Sequence, residues 1–368
     1  MNKFKFYFIV FTASVLFFSC TKDDPANTIE PPRDYAEQYP KDIAIIEDYL
    51  KSNYFTVINH PGFVDDQDIT IKKIDAGQPS IYSYLDSATY PKLLVRTVNM
   101  HNVEKGYKLY YLVLRPGVGV SPCNVDGVLA SYRGTYLERS TATTAAPSEV
   151  TATFFEELKY PQTTLNLYGV IKGWSEIFPQ FKTGTATINT NGTVNHNDFG
   201  AGVMFIPSGL AYYNIGSGEI PSYSPLVFSF KLYTIERLDQ DDDGVFSYQE
   251  DQNNDGYVYD FRNTNAYPTT PENLDDTDKD AIPDFLDVDD DGDNYTTKLE
   301  ITKPVGTNSG LSLYFPFDPI VDDPFTTAIE TETKGIPSYD ATKDEKFDYT
   351  TPGRLRIHLD NNYPVKKL

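Results

Sequence analysis

Val170-Ile171-Lys172-Gly173-Trp174-Ser175-Glu176, with Lys182-Thr183-Gly184 close behind, is the stretch from which the fold can be read. It holds the only tryptophan of the 368-residue chain. A short helix is predicted around Trp174–Phe181, and the sequence on both sides reads as strands. Leu94–Val98, Tyr107–Leu114 and Val125–Tyr132 precede it, with Tyr110, Leu112 and Leu114 on one side of the second run. Thr185–Asn189, Thr193–His196, Val203–Ile206 and Leu226–Ile235 follow it, and Asn191-Gly192 is a strong hairpin-turn pair. The predicted fold is α+β, a curved antiparallel sheet wrapped over a short helix. Further upstream, Asp42 is placed to cap a packing helix to about Ser52, with Ile43, Ile46 and Leu50 on one face.

Two more stretches stand with the tryptophan block. One is Ala130-Ser131-Tyr132-Arg133-Gly134-Thr135. The other is Ile206-Pro207-Ser208-Gly209-Leu210-Ala211-Tyr212, followed by Ile220-Pro221 and Leu226-Val227-Phe228. In order and spacing, residues 105–238 resemble the FKBP family of peptidyl-prolyl cis-trans isomerases. The resemblance implies a proline pocket with Trp174 as its floor and Tyr132, Phe155, Val170, Ile171, Ile220 and Phe228 as apolar walls. It implies that the Tyr212 hydroxyl faces the bound peptide and that the Ile171 N–H receives a substrate carbonyl. Glu156 stands where the family usually has Asp, a departure that bears on the polar contact made there. Tyr213 stands where Gly usually follows the Ala-Tyr pair. The Phe155–Leu165 region departs from Phe-Asp-Ser-Ser, and the Asn191-Gly192 hairpin enlarges the loop before Gly200.

The chemistry suits such a site. An X-Pro bond resists rotation by roughly 18–20 kcal/mol because of amide resonance. Twisting the bond breaks that resonance and needs no nucleophile, acid or base. A dry aromatic pocket that holds the ring favours the less charge-separated twisted form. Four scattered histidines and two cysteines offer little for a zinc cluster or a His-based triad, and this reaction needs neither.

The charge of −22 is uneven. Asp239–Glu300 carries 20 acidic and three basic residues, a net of −17, which leaves only −5 on the rest. An acidic chain lacks the basic face that nucleic-acid binding needs. Asp239 to Glu250 fills a 12-position EF-hand loop: Asp239, Asp241 and Asp243 at positions 1, 3 and 5, Gly244 at 6, and Glu250 at 12. Val245 would add its backbone carbonyl and Ser247 a direct or water-borne oxygen. A second loop runs from Asp289 through Asp291, Asp293 and Tyr295 to Glu300, with Asn294 in place of the glycine. Between them lie Asp251–Gly256 and the run Asp276, Asp278, Asp280, with Asp287 further on. Asp287, Asp289 and Asp291 stand equally well at the end of one site or the start of the next. These overlapping registers resemble thrombospondin type 3 calcium repeats. The expected ion is structural calcium, and catalysis requires no cofactor.

The N-terminus reads as an address. Lys3 and Lys5 precede an apolar run from Phe6 to Phe18, and Leu16-Phe17-Phe18-Ser19-Cys20 resembles a bacterial lipobox. Cys20 is the expected lipidation site, which leaves Cys123 without an intramolecular disulfide partner. Lys22-Asp23-Asp24 resembles a surface-export signal of Bacteroidota lipoproteins. The expected organisation is a signal peptide (1–19), a proline-rich tether (20–40), a helix and strand segment (41–104), the isomerase-like domain (105–238), the calcium repeats (239–300) and a C-terminal tail (301–368). The expected function is an exported, lipid-anchored prolyl isomerase acting on proline-containing polypeptides at the outer membrane, on its periplasmic face or at the cell surface. The alternative is a non-catalytic surface module that grips proline-containing partners.

Overall fold

Strands form where the apolar residues alternate, and Gly200–Ile206 shows why one run of them is continuous instead. All seven of its residues are buried, because both faces of the strand are covered. The computed structural model describes residues 31–144, 147–190, 192–304, 312–320 and 332–364. In chain order these hold α1 (Tyr35–Ser52), β1 (Asn53–Val57), β2 (Ile69–Lys73), β3 (Lys92–Val98), β4 (Tyr107–Arg115), β5 (Gly127–Arg139) and β6 (Val150–Leu158). Next come β7 (Leu165–Asn166), α2 (Lys172–Ile177), β8 (Thr185–Ile188), β9 (Val194–Asn197), β10 (Gly200–Ile206) and β11 (Leu226–Glu236). The last elements are α3 (Thr297–Glu300), β12 (Ser338–Tyr339) and β13 (Phe347–Asp348). The chain is sheet-rich with few helices. The signal peptide, Cys20, residues 21–30 and Asn191 lie outside the described residues. No helix among the described residues is long and apolar enough to cross a membrane.

The main sheet runs β3-β4-β10-β11-β5-β6, with the short β7 paired to β5. Every pairing is antiparallel. Its register puts Phe228 opposite Gly134 and Met204, and Phe230 opposite Tyr132. These side chains share the face that packs on α2, in a core with Trp174, Ile177, Phe178 and Phe181. The opposite face, with Tyr110, Leu112, Val203, Phe205 and Val227, packs against Ile46, Tyr49 and Leu50 of α1 and against Ile81.

Several boundaries differ from expectation. The first helix begins at Tyr35, not Asp42. Asp34 caps it through a 2.8 Å bond from the Ala36 N–H, and Pro40 is accommodated inside it. Residues 35–40 are therefore helical rather than tether, and Asp42 is buried mid-helix. The sheet also begins before residue 105, since β3 pairs along its whole length with β4. The described residues from Asp34 onward belong to one compact unit. The Asn191-Gly192 region joins β8 and β9, which form an exposed two-stranded ribbon apart from the main sheet.

Residues 239–296 have no strand, only loops and two 3-10 turns at Ser247–Gln249 and Asp284–Leu286. Ile301, Phe315, Ile336 and Ile357 bury together with Val245 of the first acidic loop.

Candidate functional site

The aromatic box is assembled by α2 and the register of three strands. Trp174 is 4% exposed and sits edge-on to Tyr132 (centroids 4.9 Å apart) and Phe228 (5.0 Å). Phe155 meets Phe228 edge to face at 5.6 Å. Perpendicular rings place positive edges on negative faces, an arrangement favoured over flat stacking. Val170 and Ile171 pack on the same core half-buried, and Ile220 is buried within it. All the predicted wall residues thus belong to the core that contains Trp174, whose indole N–H is buried without a hydrogen-bond partner among the described residues.

The motif glycines are explained by this packing. A Cβ at Gly134 would overlap the rings of Phe155 and Phe228, and one at Gly173 would collide with the Ile206 side chain. The β5–β6 register slips between Gly134 and Thr135, so Phe155 is the extra residue of a bulge turned toward the box.

The box also has a polar rim. The Tyr132 hydroxyl donates to Glu156 Oε1 at 2.9 Å, so glutamate sustains a polar contact at this position. Burial, then Glu156, pushes the Tyr132 pKa up to about 12. Tyr212 is among the exposed aromatics, in the loop after β10. Ile171 caps α2 in an extended conformation and no side chain caps that end. Its N–H donates to nothing within the described residues. Tyr213 takes a left-handed φ of 45°, which a glycine would adopt freely. Its ring turns to α1, stacking on Tyr35 at 4.0 Å, so the substitution is absorbed away from the box.

The loop bearing Tyr212 is held by Asp42, a residue whose sequence context suggests a helix cap. Asp42 Oδ2 accepts from the Ser208 N–H at 2.8 Å and from its hydroxyl at 2.6 Å. Nothing in local spacing signals this contact, which joins positions 166 residues apart.

The acidic segment repeats one backbone device four times. The first Asp of each loop accepts from the N–H five residues on: Asp239 from Gly244 (3.0 Å), Asp251 from Gly256 (2.7 Å), Asp276 from Ala281 (3.1 Å) and Asp289 from Asn294 (3.0 Å). The four donor residues have φ of 103°, 85°, 81° and 74°. The turn therefore survives with Asn294 and even Ala281 in place of glycine. Carboxylates gather in three of these loops, as Asp239/Asp241/Asp243, Asp276/Asp278/Asp280 and Asp289/Asp291/Asp293. Val245 and Tyr295 point N–H groups back at Asp243 and Asp293. Burial raises the Asp287 pKa, and the charges of Asp280, Asp278 and Asp289 add to it. The charges of Asp291, Asp293, Asp289 and Asp360 act on Glu300, the twelfth position of the fourth loop. Glu250, expected with the first loop, groups with Asp243 and also with Asp290, a residue that the loop pattern does not single out.

Nine carboxylate oxygens of this segment are buried without a hydrogen-bond partner among the described residues, on Asp241, Asp243, Glu250, Asp289, Asp290, Asp291 and Glu300. Burial raises the pKa of Asp241 to about 8, of Asp243 to about 7 and of Glu300 to about 9, with neighbouring carboxylates adding to it. Hard oxygen donors at this density fit a calcium ion, which takes six to eight of them.

The segment also docks on α2. The Tyr257 hydroxyl donates to the Glu176 carbonyl at 2.9 Å and receives Gln180 Nε2 at 2.7 Å. The Tyr259 hydroxyl donates to Glu176 Oε2 at 3.2 Å, and Arg96 Nε reaches the same oxygen at 2.7 Å. Burial would raise the Glu176 pKa, but Lys172 and Arg96 outweigh it and hold it low. The Asn124 side-chain amide brackets Val258, its Nδ2 donating to the Val258 carbonyl at 2.6 Å and its Oδ1 accepting from the Val258 N–H at 2.8 Å, and Cys123 is buried beside Val258 and Phe285. Burial pushes the Cys123 thiol up to about 12, so it is unreactive.

Residues 240–328 match a family model described as BamM C-terminal. No curated protein matches the chain. Among solved structures, the chain is similar to a peptidyl-prolyl cis-trans isomerase from Pseudomonas syringae pv. tomato, at 22% identity and a TM-score of 0.26, covering 41% of this chain and 86% of that one. It is also similar to FkpA from Escherichia coli, at 25% identity and a TM-score of 0.26, covering 41% of this chain and 54% of that one.

Proposed function

We propose that the chain is an FKBP-type peptidyl-prolyl cis-trans isomerase acting on proline-containing polypeptides. The observation that carries this is the closed set of perpendicular rings around Trp174, with the Ile171 N–H free beside them. A proline ring seats on the indole between Tyr132, Phe155 and Phe228. The Ile171 N–H takes the carbonyl of the bound peptide, and Tyr212 lines the entrance. Rotation about the X-Pro bond then proceeds in a site with little water, where the loss of amide polarity costs less. No proton or electron pair leaves the peptide, so a box built of aromatic and aliphatic side chains is sufficient for the chemistry.

Calcium is the second part of the proposal. Three of the four loops would hold it, through Asp239, Asp241, Asp243, the Val245 carbonyl and Glu250, through Asp276, Asp278 and Asp280, and through Asp287, Asp289, Asp291, Asp293, the Tyr295 carbonyl and Glu300. The ion supplies positive charge that compensates buried carboxylates, and these carboxylates otherwise repel one another. The third part is export and attachment to the outer membrane through an acylated Cys20, which rests on the Leu16–Cys20 stretch alone.

The test is proline-limited refolding of an unrelated protein, with the full chain added, in calcium and in chelator. Acceleration supports the isomerase. Peptide binding without acceleration leaves the binding module in its place.

A further inference from the structure

Asp243, Glu250 and Asp290 bring carboxylate oxygens within 4.8 Å of one another. Asp243 and Glu250 belong to the first acidic loop, whereas Asp290 comes from the fourth, some 40 residues on. All three are buried, Glu250 and Asp290 at 1% exposure each. Both oxygens of Glu250, both of Asp290 and Oδ2 of Asp243 have no hydrogen-bond partner among the described residues. The charges of Asp284 and Asp241 also act on both Glu250 and Asp290, although the Asp284 carboxylate is engaged with Thr277. The charge of Lys298 acts on Asp243, but its ammonium is engaged with the Asp242 carbonyl at 2.7 Å. Thr297 approaches from α3, its hydroxyl accepting from the Asp290 N–H at 3.4 Å.

Three buried carboxylates in mutual contact, with five unpartnered oxygens, cannot all stay ionised without a cation. An EF-hand register does not account for Asp290. It is the second position of its loop, between Asp289 and Asp291, which gather with Asp293 instead. Asp290 faces away from its own loop and into the first.

We propose that Asp290 is a cation ligand that ties the fourth loop to the first, completing with Asp243 and Glu250 a buried all-carboxylate site for a divalent ion of calcium's class. This rests on the reading that the acidic segment binds calcium, and it adds a prediction which that reading does not make. A site built within one loop orders only that loop. This one closes the chain between residues 250 and 290, which includes Tyr257 and Tyr259 docked on α2.

The experiment is calorimetric titration of the full chain with CaCl2, wild type against Asp290→Asn and Asp278→Asn, with melting measured in chelator and in calcium. Asp290→Asn should lose one ion or at least tenfold in affinity at one site. It should expose residues 251–288 to limited proteolysis in calcium. In chelator it should melt no lower than wild type, because it removes a buried charge, and this also shows that it folds. Asp278→Asn, which removes a proposed ligand of the third loop alone, should lose affinity at a different site and open only the turn around Asp276–Asp280, leaving residues 257–259 protected. If wild type binds calcium and Asp290→Asn binds and protects equally well, the cross-link is overturned while the calcium reading stands. If wild type binds no calcium at millimolar concentration, both fall. Glu250→Gln serves as the second variant: wild-type binding in it also overturns the site.

Discussion

Asp42 and Ser208 meet across 166 residues, the buried carboxylate accepting both the backbone N–H and the hydroxyl of the serine. This contact fastens the loop that carries Tyr212 to the helix on which the N-terminal segment is built. Asp42→Ala leaves two donors of Ser208 unsatisfied, a cost of about 1–3 kcal/mol. The expected result is a lower denaturation midpoint together with a raised KM for proline peptides, as Tyr212 loses its placement. Ser208→Ala keeps the backbone bond and should lose about 1 kcal/mol, with peptide affinity changed less. A KM unchanged in Asp42→Ala would separate this contact from the pocket.

Gly134 faces the rings of Phe155 and Phe228 with no room for a methyl group. Gly134→Ala forces Phe155 outward at a cost of about 1–3 kcal/mol. The box should open, the single-tryptophan fluorescence should change, and isomerisation should fall by an order of magnitude or more. Wild-type activity in this variant would remove Phe155 from the pocket.

Tyr213 combines strain with burial. A left-handed φ costs a non-glycine residue roughly 1–2 kcal/mol. The stack on Tyr35 and the edge contact to Tyr223 offset it. Tyr213→Gly relieves the strain and loses the rings, so a net destabilisation of about 1 kcal/mol with activity retained is expected from chemical denaturation and the peptide assay.

The carboxylates make the cation-free chain sensitive to pH in an unusual direction. Asp243 is raised to about 7, Asp241 to about 8 and Glu300 to about 9, by burial first and neighbouring carboxylates second. The unfolded values lie near 4. The folded chain therefore holds these protons more tightly, and their contribution to stability is complete below about 4 and lost as pH rises through about 7–9. In chelator, the melting temperature should be higher at pH 5 than at pH 8.5. In millimolar calcium the order should reverse, because binding needs the ionised form. Melting curves at the two pH values decide it, and an unchanged order in calcium would contradict the calcium sites.

Tyr257 joins the acidic segment to the helix that bears Trp174, through Glu176 and Gln180. Tyr257→Phe removes both bonds, about 1–2 kcal/mol. Chelation should lower isomerase activity in wild type by loosening α2, and Tyr257→Phe should show a smaller response to calcium. Identical responses in the two proteins would mean that the pocket does not sense the segment.

The pocket residues are legible in the sequence because they sit in short motifs whose spacing follows strand and helix geometry. Phe155 requires more, since its orientation comes from a bulge opposite Gly134. Asp42 reads as a cap because a proline inside a helix normally marks its end, yet this helix continues through Pro40 back to Asp34. The first two strands and their cover over the sheet's reverse face are not legible, since Asn53–Val57 and Ile69–Lys73 are short and half-exposed. The loop register of Asp239–Glu250 and Asp289–Glu300 is legible from period-two carboxylates. Asp290 is not, because its role depends on two loops folding against each other.

The central claim is that the Trp174 box turns proline peptides over. Exchange spectroscopy on a short X-Pro peptide, with a catalytic amount of the full chain, measures this directly. Cis–trans exchange is expected on the second timescale or faster, where the free peptide takes tens of seconds. The acceleration should disappear in Trp174→Leu. Exchange that stays at the free-peptide rate, while peptide addition still perturbs the Trp174 fluorescence, would contradict it.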